Sequence, residues 1–278
     1  GRFRDQITAD GRSGFVAERD RYHLYVSPAC PLSHRVTIVH ALKRLDSLVG
    51  VSVVHPIWNT PDGWVLGDTA LSTPDRAGNG FACLHEAYRA SQADYTGKVI
   101  VPVLWDRKSR RIVNNESLEI AGMLNRAFDG IGGDAQVDLY PAVLQPQIDA
   151  LNSRITRSLA NGVYAVASAR DQAEYDDAIG ELFGFLDEWE ARLVDDRRFL
   201  LSDRPTLADV LIFTPLVRFD YPRLAALVRR LHDLPAVAST VRFDHILTHY
   251  YDGDWAVARR WGIVPQRPDI DWRTGSKE

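Results

Sequence analysis

Cys30 stands between a short β-prone run and a helix-forming stretch in Tyr22-His-Leu-Tyr-Val-Ser-Pro-Ala-Cys-Pro-Leu-Ser-His-Arg35. A cysteine at a helix start meets partial positive charge and free backbone N–H groups. These favour thiolate over thiol, so Cys30 is expected to ionise near neutral pH and to act as a nucleophile. Three residues on, where a dithiol oxidoreductase carries its resolving cysteine, stands Ser33. The implied chemistry is that of a single thiol. A free cysteine is also a common small core residue, and Cys83, in the apolar setting Phe81-Ala-Cys-Leu84, reads that way. For Cys30 the succession of strand, Cys-Pro and helix argues for chemistry instead.

Two other places could serve a ligand held near that thiol. In Val99-Ile-Val-Pro-Val-Leu-Trp105, Pro102 cannot donate to a sheet ladder and belongs at a strand's first residue or edge. It is a candidate cis peptide that turns the preceding backbone towards a ligand, with an ordinary trans edge proline as the alternative. Glu116 and Ser117 fall in the first turn of a helix, where free N–H groups and a serine hydroxyl can hold a ligand carboxylate. The same two residues could simply cap that helix.

The elements that must position these residues form an α/β unit in the first half of the chain. A strand at His23 to Val26 leads into a helix with Pro31 in its first turn. Apolar positions Ile38, Leu42, Leu45 and Val49 recur at helical spacing, Gly50 fits the stop, and Val51 to Val54 form a second strand. Strand, helix and strand make a right-handed crossover with two parallel strands. Pro56 to Phe81 is a long insertion rich in glycine and proline, of the kind that carries function or lacks order. A helix around Leu84 to Ser91, the run ending at Trp105, a turn at Asp106 to Arg110 and an antiparallel partner at Arg111 to Asn114 complete the unit.

The second half reads as helical throughout. Ile179, Leu182, Leu186, Trp189 and Leu193 mark an amphipathic helix. Thr206-Leu-Ala-Asp209 reads as a capping box, Thr206 capping the first N–H groups and Asp209 reaching back. The boundary falls in the Gly/Asp-rich stretch Asp129 to Asp138, and no internal repeat or low-complexity tract is present.

Composition bounds the function classes. The chain has 278 residues, 45% hydrophobic and 25% charged, with a net charge of -4. This is an ordinary globular composition with no basic footprint for nucleic acid or anionic lipid. Two cysteines argue for a reducing compartment and against a disulfide scaffold. No apolar run approaches the roughly 20 residues of a membrane span. The opening Gly1-Arg-Phe-Arg-Asp-Gln lacks a signal peptide's apolar core, so cytoplasm is the expected location.

Several stretches, in order, carry a resemblance. They are Arg21-Tyr-His-Leu-Tyr-Val-Ser27 with Cys30-Pro31 and His34-Arg35, Thr96-Gly-Lys-Val-Ile-Val-Pro-Val-Leu-Trp-Asp106, and Ile112-Val-Asn-Asn-Glu-Ser117. Asn161-Gly-Val-Tyr164, Ala208-Asp209 with Val217-Arg-Phe-Asp220, and His249-Tyr-Tyr251 follow. Over nearly its whole length the chain resembles the Xi class of glutathione transferases, the glutathionyl-hydroquinone reductases. The resemblance implies an α/β thioredoxin-like N-terminal domain plus an all-α C-terminal domain, the glutathione transferase fold. The thiol-binding domain with its N-terminal extension would span 1–130. The helical domain, with a hydrophobic substrate site and a C-terminal tail, would span 139–278. It also implies glutathione as cosubstrate, no metal, quinone or hydroquinone thiol adducts as small-molecule partners, and a homodimer.

By position, the resemblance makes Cys30 the thiol that attacks the sulfur of a glutathionyl-hydroquinone, leaving a mixed disulfide that a second glutathione resolves. Val101 and Pro102 would pair with the cysteinyl backbone of glutathione, Glu116 and Ser117 would take its γ-glutamyl end, and Trp64 would contact it from the long loop. Tyr164 and one of Tyr250 and Tyr251 would donate hydrogen bonds to the phenolic oxygens, stabilising charge on the leaving ring. Interior packing with a satisfied hydroxyl is the alternative for these tyrosines.

Two departures stand out. The family reads Cys-Pro-Trp-Ala-His-Arg, whereas Leu32-Ser33 here removes an aromatic wall beside the thiol. A family segment after Arg-Phe-Asp is absent, Asp220 running straight into Tyr221. Competing readings are a conjugating glutathione transferase or dehalogenase, with Ser27 or Ser33 activating glutathione's own thiolate, and a transferase for another low-molecular-weight thiol. A non-catalytic ligand-binding protein on the same fold is the third.

Overall fold

The structure, a computed structural model, describes residues 1–58, 60–193, 198–216 and 222–249. Two compact units divide it: Gly1–Val137 with residues 239–249, and Asp138–Ala238.

The first unit is built on a four-stranded mixed sheet. After a short parallel pair, β1 (Ile7–Thr8) and β2 (Phe15–Val16), comes β3 (Tyr22–Val26), buried at every residue. Helix α1 (Pro31–Leu42) crosses over to β4 (Val49–Val53), parallel to β3. Helix α2 (Leu84–Ser91) precedes β5 (Val103–Asp106), which runs antiparallel to β3, and β6 (Arg111–Asn114) pairs antiparallel with β5. Helix α3 (Ser117–Arg126) closes the unit, and the sheet order is β4-β3-β5-β6. The N-terminal extension lies along β6, Asp5 N–H donating to the Val113 carbonyl at 3.0 Å and Asn115 N–H to that of Phe3 at 3.1 Å.

The structure corrects the reading of α1 and β4. The helix ends at Leu42, because Arg44 takes a left-handed φ of 53°. Leu45 and Leu48 are fully buried in the turn that follows, and Val49 opens the strand. The apolar spacing there records burial, not helix. Gly50 is a strand residue opposite His23, and its need is space: a Cβ would lie 2.7 Å from His23 Nδ1 and 2.9 Å from an Arg107 guanidinium nitrogen.

That close approach belongs to a buried polar layer that orders the long insertion. His23 sits 2.8 Å from Ser52 Oγ, and its Nδ1 accepts from Arg107 at 3.1 Å. Ser52 Oγ donates to the Pro74 carbonyl at 3.2 Å and accepts from Arg76 N–H at 2.9 Å. Asp75 takes the Tyr25 hydroxyl at 2.8 Å and the N–H groups of Ala77, Asn79 and Phe81. Burial, with Arg107 second, pushes the His23 pKa down to about 3, so the ring is neutral.

The second unit is helical in its described residues: α4 (Gln145–Arg154), a π-helical segment (Ile155–Ala160), α5 (Gly162–Ser168) and α6 (Gln172–Arg192). They are followed by α7 (Leu207–Leu216), α8 (Pro222–His232) and α9 (Pro235–Ala238), while α10 (Phe243–Leu247) groups with the first unit. In α6 the buried residues are Leu182, Phe185, Leu186 and Trp189. The capping motif is rearranged: Asp209 accepts from the Thr206 and Leu200 N–H groups and from the Thr206 hydroxyl, each at 2.8 Å, so Thr206 Oγ1 is a donor to the carboxylate.

Gly50→Ala is expected to lower stability by about 1–3 kcal/mol, the usual effect of overpacking, read as a lower urea midpoint. Since His23 is depressed from 6.5 to about 3, its contribution is complete above pH 6.5 and is lost as pH falls towards 3. His23→Gln should therefore flatten the fall in melting temperature across that acid range.

Candidate active site

Strand register gathers the candidate residues at one end of the sheet. Tyr25 pairs with Val103 and Val26 with Val53, so the exit of β3 towards Cys30, the entry to β5 at Val101–Pro102 and the exit of β4 share an edge. Leu104 pairs with Asn114, which brings the exit of β6, and with it Glu116 and Ser117, to the same edge. Each segment reaches the site by leaving or entering a buried strand.

Cys30 is the N-cap of α1, with φ -84° and ψ 120°, and Pro31 occupies the first turn. Its N–H donates to the Ser27 carbonyl at 3.0 Å and its carbonyl accepts from His34 N–H at 2.9 Å, which locks the turn. The residue is half-buried. Burial pushes the thiol up, while the N–H groups of Ser33 and Leu32 and the Arg35 guanidinium oppose that push without overcoming it. This corrects the expectation of ionisation near neutrality: desolvation outweighs the helix start in the free protein. Ser27 and Ser33 are fully buried, and their hydroxyls have no hydrogen-bond partner among the described residues. The Ser33 hydroxyl lies near enough to favour the thiolate, although it makes no well-formed hydrogen bond to the sulfur.

Trp64 is buried in a cluster with Val101, Tyr88 and Trp105, and Cys30 packs against that cluster. Backbone pairing fixes it: the Trp64 carbonyl accepts from Leu84 N–H at 2.8 Å, and Leu66 N–H donates to the Ala82 carbonyl at 2.8 Å. Its ring stacks between Trp58, at 5.7 Å, and His249, at 6.1 Å. The Val101–Pro102 peptide is cis.

Glu116 is the N-cap of α3, yet its side chain makes no cap hydrogen bond. Ser117, the first helical residue, is buried, and its Oγ accepts from Arg35 Nη1 at 3.4 Å. The capping alternative therefore fails for the Glu116 side chain, which makes no cap hydrogen bond. Sequence reasoning passed over Arg35, quoted only as part of a motif. An arginine five residues beyond a nucleophile, in a helix packed on a sheet, was the available signal.

Tyr164 lies in α5 of the second unit, directly after the π-helical segment, and is 48% exposed. Tyr250 and Tyr251 lie outside the described residues, as does Val217-Arg-Phe-Asp220 with its junction to Tyr221. Among the described residues no group of three or more His, Cys, Asp or Glu is placed to hold a metal ion. No described helix is long and apolar enough to cross a membrane.

Residues 29–127 match the model of the glutathione S-transferase N-terminal domain, and residues 172–239 that of the C-terminal domain. The chain is 40% identical over 274 residues to the glutathionyl-hydroquinone reductase YqjG of Escherichia coli, covering 90% of this chain and 82% of the relative. It is also 40% identical over 274 residues to the glutathionyl-hydroquinone reductase PcpF of Sphingobium chlorophenolicum, covering 92% and 85%. The solved glutathione-bound structure of YqjG superposes with a TM-score of 0.90 at 38% identity, covering 99% of this chain and 96% of that one. The Xi glutathione transferase ECM4 of Saccharomyces cerevisiae, solved in complex with glutathione, gives 0.88 at 32% identity, with 98% of each chain covered.

Cys83 caps α2 in a buried setting where burial, Asp62 and Glu86 all push its thiol up. At Cys30 the neighbouring charge is a cation that opposes burial, whereas at Cys83 two carboxylates add to it, so Cys30 is expected to alkylate several-fold faster with iodoacetamide at neutral pH, as peptide mapping would show. Equal rates at the two sites would count against the nucleophile.

Proposed function

The chain belongs to the glutathione S-transferase family, in the Xi class of the glutathionyl-hydroquinone reductases, and from that premise we propose that it uses glutathione to strip glutathione from glutathionyl-hydroquinones through Cys30. One observation carries the reading. A half-buried thiol stands at the N-cap of a helix, where the nearby Leu32 and Ser33 N–H groups favour its thiolate, and it has no resolving cysteine beside it.

The Cys30 thiolate attacks the thioether sulfur of the substrate. A Cys30–glutathione disulfide forms, the sulfur–carbon bond breaks, and the electron pair stays with the ring, which takes up a proton as hydroquinone. A second glutathione thiolate then attacks the glutathionyl sulfur, forming oxidised glutathione and releasing the Cys30 thiolate. In this scheme the start of α3 receives the γ-glutamyl carboxylate on its free N–H groups and the Ser117 hydroxyl, and Glu116 receives the ammonium. That the Glu116 side chain is not spent on capping its own helix supports that role. Val101 and Pro102 face the cysteinyl backbone and Trp64 the tripeptide.

Tyr164, with Tyr250 or Tyr251, donates to the phenolic oxygens as charge reaches the ring. Supporting this for Tyr164 is its place just after a π-helical turn, a feature common at functional positions. The homodimer is part of the same reading, testable by sedimentation velocity. So is a reducing, cytoplasmic setting, in keeping with two free cysteines.

Intact-mass analysis after incubation with oxidised glutathione should show one adduct, mapped to Cys30. Cys30→Ser should abolish turnover of a glutathionyl-hydroquinone while leaving thermal melting unchanged. Retained turnover would favour a conjugating enzyme that activates glutathione through Ser27 or Ser33.

By calorimetry, Ser117→Ala should weaken glutathione binding by about 1 kcal/mol. Glu116→Gln should weaken it more, since it removes a charge-assisted hydrogen bond.

Tyr164→Phe should lower turnover by roughly 10²-fold with little change in glutathione affinity. The Cys30 adduct should still form in that variant, because expulsion of a thiolate needs no phenolic donor.

A further inference from the structure

His249 has no part in the proposed reaction, yet it touches the ring that the reaction gives to glutathione. The chain returns to the first unit at residues 239–249, and this returning stretch is fastened at two places. Thr240 Oγ1 lies 2.9 Å from Nε2 of His34, on the helix that Cys30 caps. At the other end His249 Nδ1 lies 2.5 Å from the Pro56 carbonyl oxygen. Between the two, α10 buries His245 and Ile246. A carbonyl oxygen only accepts, so Nδ1 carries the proton of that bond, and the bond sets the imidazole plane.

That plane lies 10° from the plane of the Trp64 indole, with ring centroids 6.1 Å apart. The hydrogen-bond acceptor and the stacking partner of His249 come from the two sides of one loop. His55 N–H donates to the Val65 carbonyl at 2.8 Å, which brings Pro56 and Trp64 next to each other across the pairing. Backbone pairing of this kind fixes the Cα of Trp64 and leaves the side chain its choice of staggered rotamers. The direction of the indole is therefore set by what packs on it. Trp58, stacked at 5.7 Å and 23°, belongs to the same long loop. His249 is tied to the body of the unit as well, through Thr240 and α1.

We propose that His249 is a positioning residue for Trp64: its ring, held by the Pro56 carbonyl, fixes the indole plane so that Trp64 meets glutathione already oriented. The inference rests on the reading of Trp64 as a contact of the tripeptide. A ring set before the ligand arrives loses little freedom on binding, and the saving appears as affinity. The returning stretch thereby becomes part of the glutathione site, although it lies at the far end of the described chain.

Near-ultraviolet circular dichroism of the free protein tests the hold on the ring with no ligand present. The difference spectrum between wild type and Trp64→Phe isolates the Trp64 signal, which requires a ring fixed in asymmetric surroundings. In a His249→Ala background the same difference should largely vanish. An undiminished difference in the folded His249→Ala protein overturns the proposal.

Calorimetry carries the test to the ligand. His249→Ala should weaken glutathione binding about three- to tenfold, the usual range for loss of an aromatic pair. The effect should disappear when Trp64 is already alanine, because two residues acting through one contact are not additive. Equal weakening in both backgrounds overturns the proposal. Should Trp64→Ala itself leave the affinity unchanged, it is the reading of Trp64 that fails, and the dichroism alone upholds or overturns the hold of His249 on the ring. Should His249→Ala fail to fold, His249→Asn is read in the same two measurements, since it keeps an N–H for the Pro56 carbonyl and removes the stacking ring.

Discussion

The register of β3 with β4 and β5 is the constraint on which the site depends. Tyr25 opposite Val103 and Val26 opposite Val53 bring three chain segments to one sheet edge, and Leu104 opposite Asn114 adds the fourth. A slip of one residue in any pair would turn every side chain of that strand to the other face. It would also displace Cys30, the Val101–Pro102 peptide or the Glu116–Ser117 helix start along the edge. The uninterrupted burial of β3 makes such a slip costly.

At that edge two opposed effects meet. A helix start supplies N–H groups that favour a thiolate, but the packing that positions the helix also removes water from the sulfur. Desolvation wins in the free protein, and the thiol of Cys30 is raised. Two further groups pull the other way, the Ser33 hydroxyl and the positive charge of Arg35. Around Cys83 the nearby charges are the carboxylates Asp62 and Glu86, which add to the effect of burial. The difference between the two cysteines is thus one of surroundings, each being the N-cap of a helix.

The long insertion shows how polar groups can order a glycine-rich segment. Asp75 gathers three backbone N–H groups and the Tyr25 hydroxyl, and neutral His23 and Ser52 tie Pro74 and Arg76 to the strands beneath. Trp64 is then fixed by backbone pairing to the approach of α2. In the second unit Asp209 plays a comparable part, accepting three hydrogen bonds from Leu200 and Thr206 while buried. Burial nonetheless pushes its pKa up to about 6.

The parallel crossover, the Pro102 strand entry, the α3 start and the helical second half were legible in the sequence. Each rests on a local rule: a proline in a first helical turn, apolar periodicity, or a turn between β-prone runs. Local rules failed where burial and backbone conformation acted together. The apolar stripe running on to Val49 predicts one long helix, but the left-handed Arg44 ends it early, and Gly50 serves the close approach of His23. What only the tertiary structure decided is the charge environment. Whether a helix start yields a thiolate depends on how far the sulfur is drawn from water, and whether the Glu116 side chain caps its helix depends on where its carboxylate turns. That Arg35 lies buried with two nitrogens unpaired follows from the packing of α1 against the start of α3. Spacing along the chain carries no measure of desolvation, so the sequence placed a thiol at a helix start and the fold set how far that thiol is drawn from water.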